Sequence, residues 1–373
     1  VVEKRDTDIP FLDAARAFAA LLGIVLHAAA GYLKYPIKEW PSFNVHTSFI
    51  FDMLAGAIHI FRVPVFFFLA GVVSYLLLQK VTVQQFTKDR FHRIGLPFLF
   101  FICVIHLPNL LTAFFSRQIH SMSDFINIFS NVSFLWFLEY LLIYYVCLIV
   151  SFSLIRFVNG QPVMEKLTSV WAKPKKLAIL MISLNFIYLY FSHTWLTPTL
   201  LSIIPDLGLL SVYSIYFVIG LLIAHSRNFN EFFVYKWQDT LIGIVSYGGY
   251  IFLFSLPHQE THRVLAILLF SITLYFFFIN FMAICHSFFS RKNKIISLLA
   301  KASYWIYLSQ FFFMVLSQHF VSKYKFTIYL EFALVMTGTI VLCLASYFIY
   351  YSLRYLVKAR KFYSLSHLSE KAG

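Results

Sequence analysis

Three titratable residues, Asp13, Arg16 and His27, stand inside Phe11 to Gly31 (FLDAARAFAALLGIVLHAAAG), an apolar stretch long enough to cross a bilayer. Each such group in hydrocarbon costs roughly 2.5–3.5 kcal/mol even on the gentler insertion scale, so these side chains face a protein interior or a water-filled cavity. An imidazole, with an ordinary pKa of about 6.5, is the usual base for taking a proton from a hydroxyl. A guanidinium keeps its charge and suits a developing oxyanion. At about 3.6 residues per helical turn, Asp13 and Arg16 are one turn apart and can pair, and the step from Arg16 to His27 is close to three whole turns. All three then share one face with Ala19, Ala20, Gly23, Ala30 and Gly31, whose small size leaves room beside the helix. A rise of about 1.5 Å per residue separates Arg16 from His27 by about 16 Å, the length of a slot through much of a bilayer. The same residues also fit a plainer arrangement, in which Arg16 snorkels to the interface with Asp13 and His27 is a satisfied interior histidine.

A second apolar run, FIFDMLAGAIHIFRVPVFFFLAGVVSY, carries Asp52, Gly56 and His59 on one face and Arg62 a turn beyond His59. Arg62 cannot shed its charge, so it marks an interior polar site or an architectural salt bridge to Asp52 or Glu139. Pro64 removes a backbone hydrogen bond, which predicts a bend and free carbonyls near Arg62. Gly71 and Ser74 predict close helix packing. In SFLWFLEYLLIYY, Trp136 reads as an interfacial anchor and Glu139 as a carboxylate needing Arg62 or a histidine as partner. In KASYWIYLSQFFF, Ser303, Tyr304, Tyr307, Ser309 and Gln310 either line a polar path or hydrogen-bond between helices. Arg90 and Arg93 stand three apart in QKVTVQQFTKDRFHRIGLPF, a spacing that suits bidentate phosphate binding and equally suits membrane orientation. His59, Asp52, Glu139, Trp136, Tyr304 and Gln310 are thus the candidate lining residues.

The elements that must position these groups follow from composition. The chain has 373 residues, 60% of them hydrophobic and 12% charged, with a mean hydropathy of +0.76. Soluble domains carry about 25% charged residues, so the chain reads as an all-α polytopic membrane protein. Apolar runs of spanning length fall near 11–30, 49–78, 95–115, 132–155, 177–193, 209–225, 239–256, 264–289, 302–320 and 328–352, predicting about ten transmembrane helices. Most of the 30 Lys and Arg residues, including Lys4, Arg5, Arg90, Arg93, Lys175, Lys176, Arg291, Lys292, Arg360 and Lys361, then lie on one side. The positive-inside rule puts both termini and a tail at about 353–373 in the cytoplasm. The net charge of +14 therefore reads as topology, with some attraction to anionic lipid or an anionic cofactor, and not as a nucleic-acid footprint. Residues 1–373 read as a single transmembrane domain without repeats, and the first span is too long and polar for a cleaved signal peptide. Cys103, Cys147, Cys285 and Cys343 lie in apolar spans without ligand-like spacing, so they are expected to be small buried hydrophobes; neither disulfides nor a metal site are expected.

Five of these stretches, in matching order along the whole chain, resemble one family. FLDAARAFAALLGIVLH is similar to the Arg-x10-His first helix of the membrane acyltransferase-3 family, and IHIFRVPVFFFLAGVVSY to its second helix. DRFHRIGLP resembles its cytoplasmic Arg-x-x-Arg turn, SFLWFL its His-Leu-Trp-Phe-Leu-like segment, and SYWIYLSQ its late Ser-x-x-Ile-Tyr-Leu-x-His motif. The FLD opening and the IHIFR run look most like the branch that succinylates osmoregulated periplasmic glucans. The resemblance implies a ten-helix enzyme of the bacterial inner membrane. It would move a succinyl or acetyl group from cytoplasmic acyl-CoA, a donor substrate rather than a resident cofactor, to hydroxyls of a periplasmic glycan. His27 would be the base, Arg16 its partner beside Asp13, and Arg90 and Arg93 contacts for the CoA phosphates. The chain departs from the family at Gln310, where His is common; an amide cannot take a proton, so His27 would have to suffice. Arg62 or the Tyr304 hydroxyl would serve the thioester oxyanion, and direct transfer and an acyl-histidine intermediate both remain open.

Two other classes compete. Asp13, Arg16, His27, Asp52, His59, Arg62 and Glu139 would also form a proton-coupled transport pathway. A structural or sensor protein gives no reason for a buried Arg-His slot. The choice between acetyl and succinyl, the identity of the glycan and the oligomeric state are not written in these residues.

Overall fold

The computed structural model describes residues 9–35, 46–115, 135–157, 165–166, 168–169, 173–198, 202–226, 229–256 and 260–370. Its long elements are all helices: α1 (Pro10–Ala30), α2 (Phe49–Leu78), α3 (Val83–Arg90), α4 (Leu96–Phe115), α5 (Trp136–Phe157), α6 (Pro174–Phe191), α7 (Leu207–Ser226), α8 (Trp237–Ser255), α9 (Glu260–Phe288), α10 (Lys294–Val321) and α11 (Ile328–Glu370). Seven of them, α1, α2, α5, α6, α7, α9 and α11, are long and apolar enough to cross a membrane by length and composition. The protein is an all-α polytopic membrane protein. Helices α4, α8 and α10 fall on the remaining expected runs; Lys301 and the Tyr, Ser and Gln side chains of α10 make it more polar than its neighbours. Past residue 352 the expected tail continues α11 as helix to Glu370, through a stretch with no Gly or Pro to stop it.

Local chemistry sets several helix ends. Pro10 opens α1, where its missing N–H would be unsatisfied anyway. Thr82 and Gln85 form a reciprocal capping box on α3, each bond 3.2 Å. The Asn293 side chain accepts the N–H groups of Ile295 and Ile296 at the start of α10. Helix α2 runs unbroken through Pro64.

Contacts group the chain into two compact units, whose boundary falls inside α2 between Arg62 and Val63. In the unit of Val63–Ser287, Gly71 of α2 lies against the Phe217 carbonyl of α7, and Gly220 of α7 against that of Phe68. A Cβ at either glycine would intrude on the opposite backbone, so the expected close packing is realised. The Tyr144 hydroxyl of α5 donates to the Leu210 carbonyl of α7 at 2.6 Å, and Tyr140 accepts the Asp206 N–H at 3.1 Å. Arg263 of α9 is 4% exposed. It pairs with Glu260 and donates to the Leu189 carbonyl at 3.2 Å, closing the C-terminus of α6 with a cation.

Two expectations in this unit are corrected. Trp136 is 7% exposed and packs against the rings of Tyr140 and Tyr213, with centroids 5.5 and 5.7 Å away. It is a core aromatic rather than an interfacial anchor, because neighbouring rings give its indole an interior surface to pack on. Cys103 and Cys147 are exposed on the chain surface, while Cys285 and Cys343 are buried as expected. In lipid an apolar side chain gains little by hiding, so apolar character does not specify the inward face of a span.

In the unit of Ile9–Arg62 and Phe288–Gly373, α1 packs along α10 and α11, and α10 along α11. Trp305 of α10 donates to the Ser346 hydroxyl of α11 at 2.9 Å and stacks on Tyr350 at 4.6 Å. Farther along, Met314 meets Val335 and Ala28. These pairs fix an antiparallel register between α10 and α11, while α1 runs parallel to α10.

Candidate active site

The first unit to consider chemically is the one holding α1, the Asp52 to Arg62 part of α2, and α10. Its top is anchored where the chain leaves α1: the Asp52 carboxylate accepts the N–H groups of Lys34 at 2.8 Å and Tyr35 at 3.1 Å. Beside it, the Tyr32 and Phe51 rings meet at 5.3 Å. Asp52 is therefore engaged with backbone at the end of the helix pair. The antiparallel register it sets carries His59 to the level of His27 and Arg62 to the level of Gly23.

Gly23 is the close-approach point. A Cβ built there would lie 2.6 Å from Arg62 Nη1 and 3.0 Å from Gln310 Oε1. The guanidinium of α2 and the amide of α10 thus converge on bare backbone of α1, one turn from His27. Arg62 and His59 both act electrostatically on His27, and Tyr304 and Arg62 both act on Tyr307. His27 Nδ1, Arg62 Nε, Tyr304 Oη and Gln310 Oε1 are all shielded from solvent. In a shielded setting a fixed positive charge near a base and an amide acts more strongly than it would in water.

Of the remaining α10 hydroxyls, Ser303 and Ser309 turn back to the carbonyls of Ala300 and Trp305, each at 2.8 Å. Ser309 also reaches the Cys343 sulfur of α11 at 3.6 Å, a contact between helices, which leaves Tyr304, Tyr307 and Gln310 for the polar layer. Arg16 pairs with Asp13 at 3.5 Å, as their one-turn spacing predicts, with side chains 35% and 23% exposed.

Arg90, Arg93, Trp136 and Glu139 belong to the other unit. Between α3 and α4 the chain passes through a π-helical turn, Phe91–Gly95. Such turns recur at functional sites and shift the faces that α-helical spacing would predict. The Arg90 guanidinium lies over the rings of Phe86 and Tyr145 at 5.2 and 5.5 Å and pairs with Asp89 at 3.1 Å. Arg93 reaches the same carboxylate at 2.7 Å with its side chain 53% exposed. Arg93 is the more accessible of the two. Glu139 stands on α5 with Oε2 shielded from solvent.

Sequence reasoning passed over Tyr32, Gln318 and Glu331, all buried in the unit that holds His27. A signal was available. Gly23 and Gly31 are eight residues apart, and so are Gln310 and Gln318; each glycine faces the matching glutamine side chain.

Compared with known proteins, the chain matches the acyltransferase-3 family model, described as an acyltransferase domain, over residues 9–351. The chain belongs to the acyltransferase-3 family. Proteins named glucans biosynthesis protein C from Salmonella paratyphi B, Salmonella heidelberg and Salmonella agona are 34% identical to it over 99 residues, 26% of this chain and 25% of theirs. The match thus spans about a quarter of the length of those relatives. No solved structure matches the chain.

Gly23 offers a direct test of the layer in this acyltransferase-3 protein. Ala at a helix interior is favoured over Gly by about 1 kcal/mol, and the atoms that a Cβ would meet are the movable ends of Arg62 and Gln310. Gly23→Ala is therefore expected to leave membrane abundance and thermal stability intact. Displacing those ends by about 1 Å lowers acyl transfer by about 10- to 100-fold. Unchanged turnover of the variant in detergent would show that the convergence on Gly23 has no catalytic role.

Proposed function

We propose that this protein is a multi-pass O-acyltransferase of a bacterial inner membrane, with ten spans and both termini cytoplasmic. It moves a succinyl or acetyl group from cytoplasmic acyl-CoA to a hydroxyl of a periplasmic glucan or related envelope glycan. Family membership over nearly the whole chain supports the acyl chemistry, and the names of the Salmonella relatives support a glucan acceptor. The observation that carries the reading is the placement of Arg62 and Gln310 against Gly23, one turn from His27.

In this reading His27 accepts the proton of the sugar hydroxyl as its oxygen attacks the thioester carbonyl. A C–O bond forms and the carbonyl π electrons move onto oxygen, where the Arg62 guanidinium meets the new charge. Collapse reforms the carbonyl and breaks the C–S bond. The leaving CoA sulfur takes the proton from His27, which returns the imidazole to its starting state. An acyl-histidine variant splits the same bond changes into two steps. Arg16 and Asp13 sit about 16 and about 21 Å lower on α1, too far for the reacting bond, and hold the lower end of the helix through their ion pair. Arg93, with Arg90 fixed beside it through Asp89, takes CoA phosphate groups.

Purified protein in detergent, with no compartments to transport between, decides the class. Radiolabelled acyl-CoA and the periplasmic oligosaccharide fraction from cells lacking the protein are expected to give labelled ester on the sugar. Label that never leaves CoA under these conditions, with proton-coupled flux in vesicles, would replace the enzyme with a transporter.

A further inference from the structure

Beyond the Gly23 layer, the same unit buries a second polar group of residues one turn past His27. Gln318, Glu331 and Ser317 are 3%, 5% and 7% exposed. Both amide atoms of Gln318, the Ser317 hydroxyl and Glu331 Oε2 have no hydrogen-bond partner among the described residues. Leaving a buried neutral polar group unsatisfied costs about 1–3 kcal/mol, and a carboxylate more. A Leu or Met at each position would avoid that cost.

Register places Gln318 and Glu331 together, while the Ser317 hydroxyl lies against Gly338, two turns farther along α11. Gln318 lies against Gly31, and Phe332, next to Glu331, packs on Tyr32. Met314 and Val335, one turn inward on the two helices, are in contact with Ala28. Gln318 and Glu331 therefore occupy one level of α10 and α11, adjoining α1 a turn from His27. The segment just above them, Lys323 to Thr327, and Tyr329 are exposed, so the level lies just beneath the surface of the unit. Glu331 is in the first turn of α11, where the helix dipole favours a carboxylate; that explains its position but not a shielded, unpartnered oxygen.

We infer that Gln318 and Glu331 form the hydroxyl-binding subsite that seats the acceptor sugar beside His27. An amide donates and accepts and a carboxylate accepts, a pair that matches neighbouring hydroxyls on a sugar ring. Glu331 opposes an anion, which turns away CoA phosphate and the free carboxylate of a succinyl donor. The assignment rests on the acyltransferase reading and adds the acceptor end to it.

The test uses full-length protein in detergent, acyl-CoA, and the periplasmic oligosaccharide fraction from cells lacking the protein. Gln318→Leu and Glu331→Gln are expected to raise the acceptor KM at least 10-fold while the acyl-CoA KM stays within 2-fold of wild type. The same sugar fraction raises the melting temperature of wild type and not of Gln318→Leu. An unchanged acceptor KM in both variants, or donor and acceptor KM values that rise together, overturns the subsite while leaving the enzyme reading in place. Should Gln318→Leu fail to fold, the near-isosteric Glu331→Gln carries the measurement. Wild-type protein that transfers nothing to the fraction removes the acyltransferase reading, and the subsite with it.

Discussion

His27→Ala lowers kcat/KM for acyl transfer by about 10²- to 10⁴-fold, the range typical of losing a positioned general base. The imidazole is the one proton acceptor on α1 at the level where His59 and Arg62 act on it. Its helical neighbours, Ala28, Ala29 and Ala30, are already fully packed alanines, so another Ala leaves the helix intact and abundance unchanged. His27→Gln is the informative companion: it keeps hydrogen bonding but cannot carry the proton, and it should be nearly as inactive. Mass spectrometry of envelope glycans with each variant in place reads the same effect in cells, as the disappearance of the acyl mass increment. Full glycan acylation by either variant at normal abundance would take the base role away from His27.

Arg62→Met lowers kcat by about 10²- to 10³-fold, the usual cost of removing one oxyanion donor. The KM for acyl-CoA should hardly move, because an interaction made only in the transition state affects turnover rather than ground-state binding. Met keeps an unbranched stem as far as the position of Nε and removes the charged end that lies against Gly23. Removing one charged group from a buried layer strands what it was paired with and lowers stability, so turnover is read per folded molecule. Arg62→Lys keeps the charge but loses the planar fork against Gly23, and about a tenfold loss is expected of it. A purely structural Arg62 would leave turnover per folded molecule preserved.

Much of the fold can be read from the chain, and particular residues show why. The expected run at 49–78 coincides with α2, and that at 95–115 differs from α4 by one residue. Long apolar runs leave little choice when every backbone group must be satisfied within its own segment. The chemical candidates were equally legible, because His27 and Arg62 are too costly in hydrocarbon to be incidental. Other details depended on a partner that no single segment names. The Asp52 carboxylate receives two backbone N–H groups from the chain leaving α1. Arg90 and Arg93 looked equivalent; the π-helical turn that follows Arg90 leaves it over two aromatic rings and Arg93 open. Trp136 looked suited to an interface and is enclosed by tyrosines.

Periodicity along one helix tells which residues share a face, and that is how Asp13, Arg16, Gly23, His27 and Gly31 could be aligned from the sequence by itself. It also settled the class of protein, since no soluble fold accommodates so apolar a chain. Only the tertiary structure decided which helix covers that face, and so that Gly23 meets Arg62 and Gln310 while Gly31 meets Gln318. The physical reason is that helix pairing within a membrane depends on side-chain shape and polar contacts between segments distant in sequence, neither of which a single segment records.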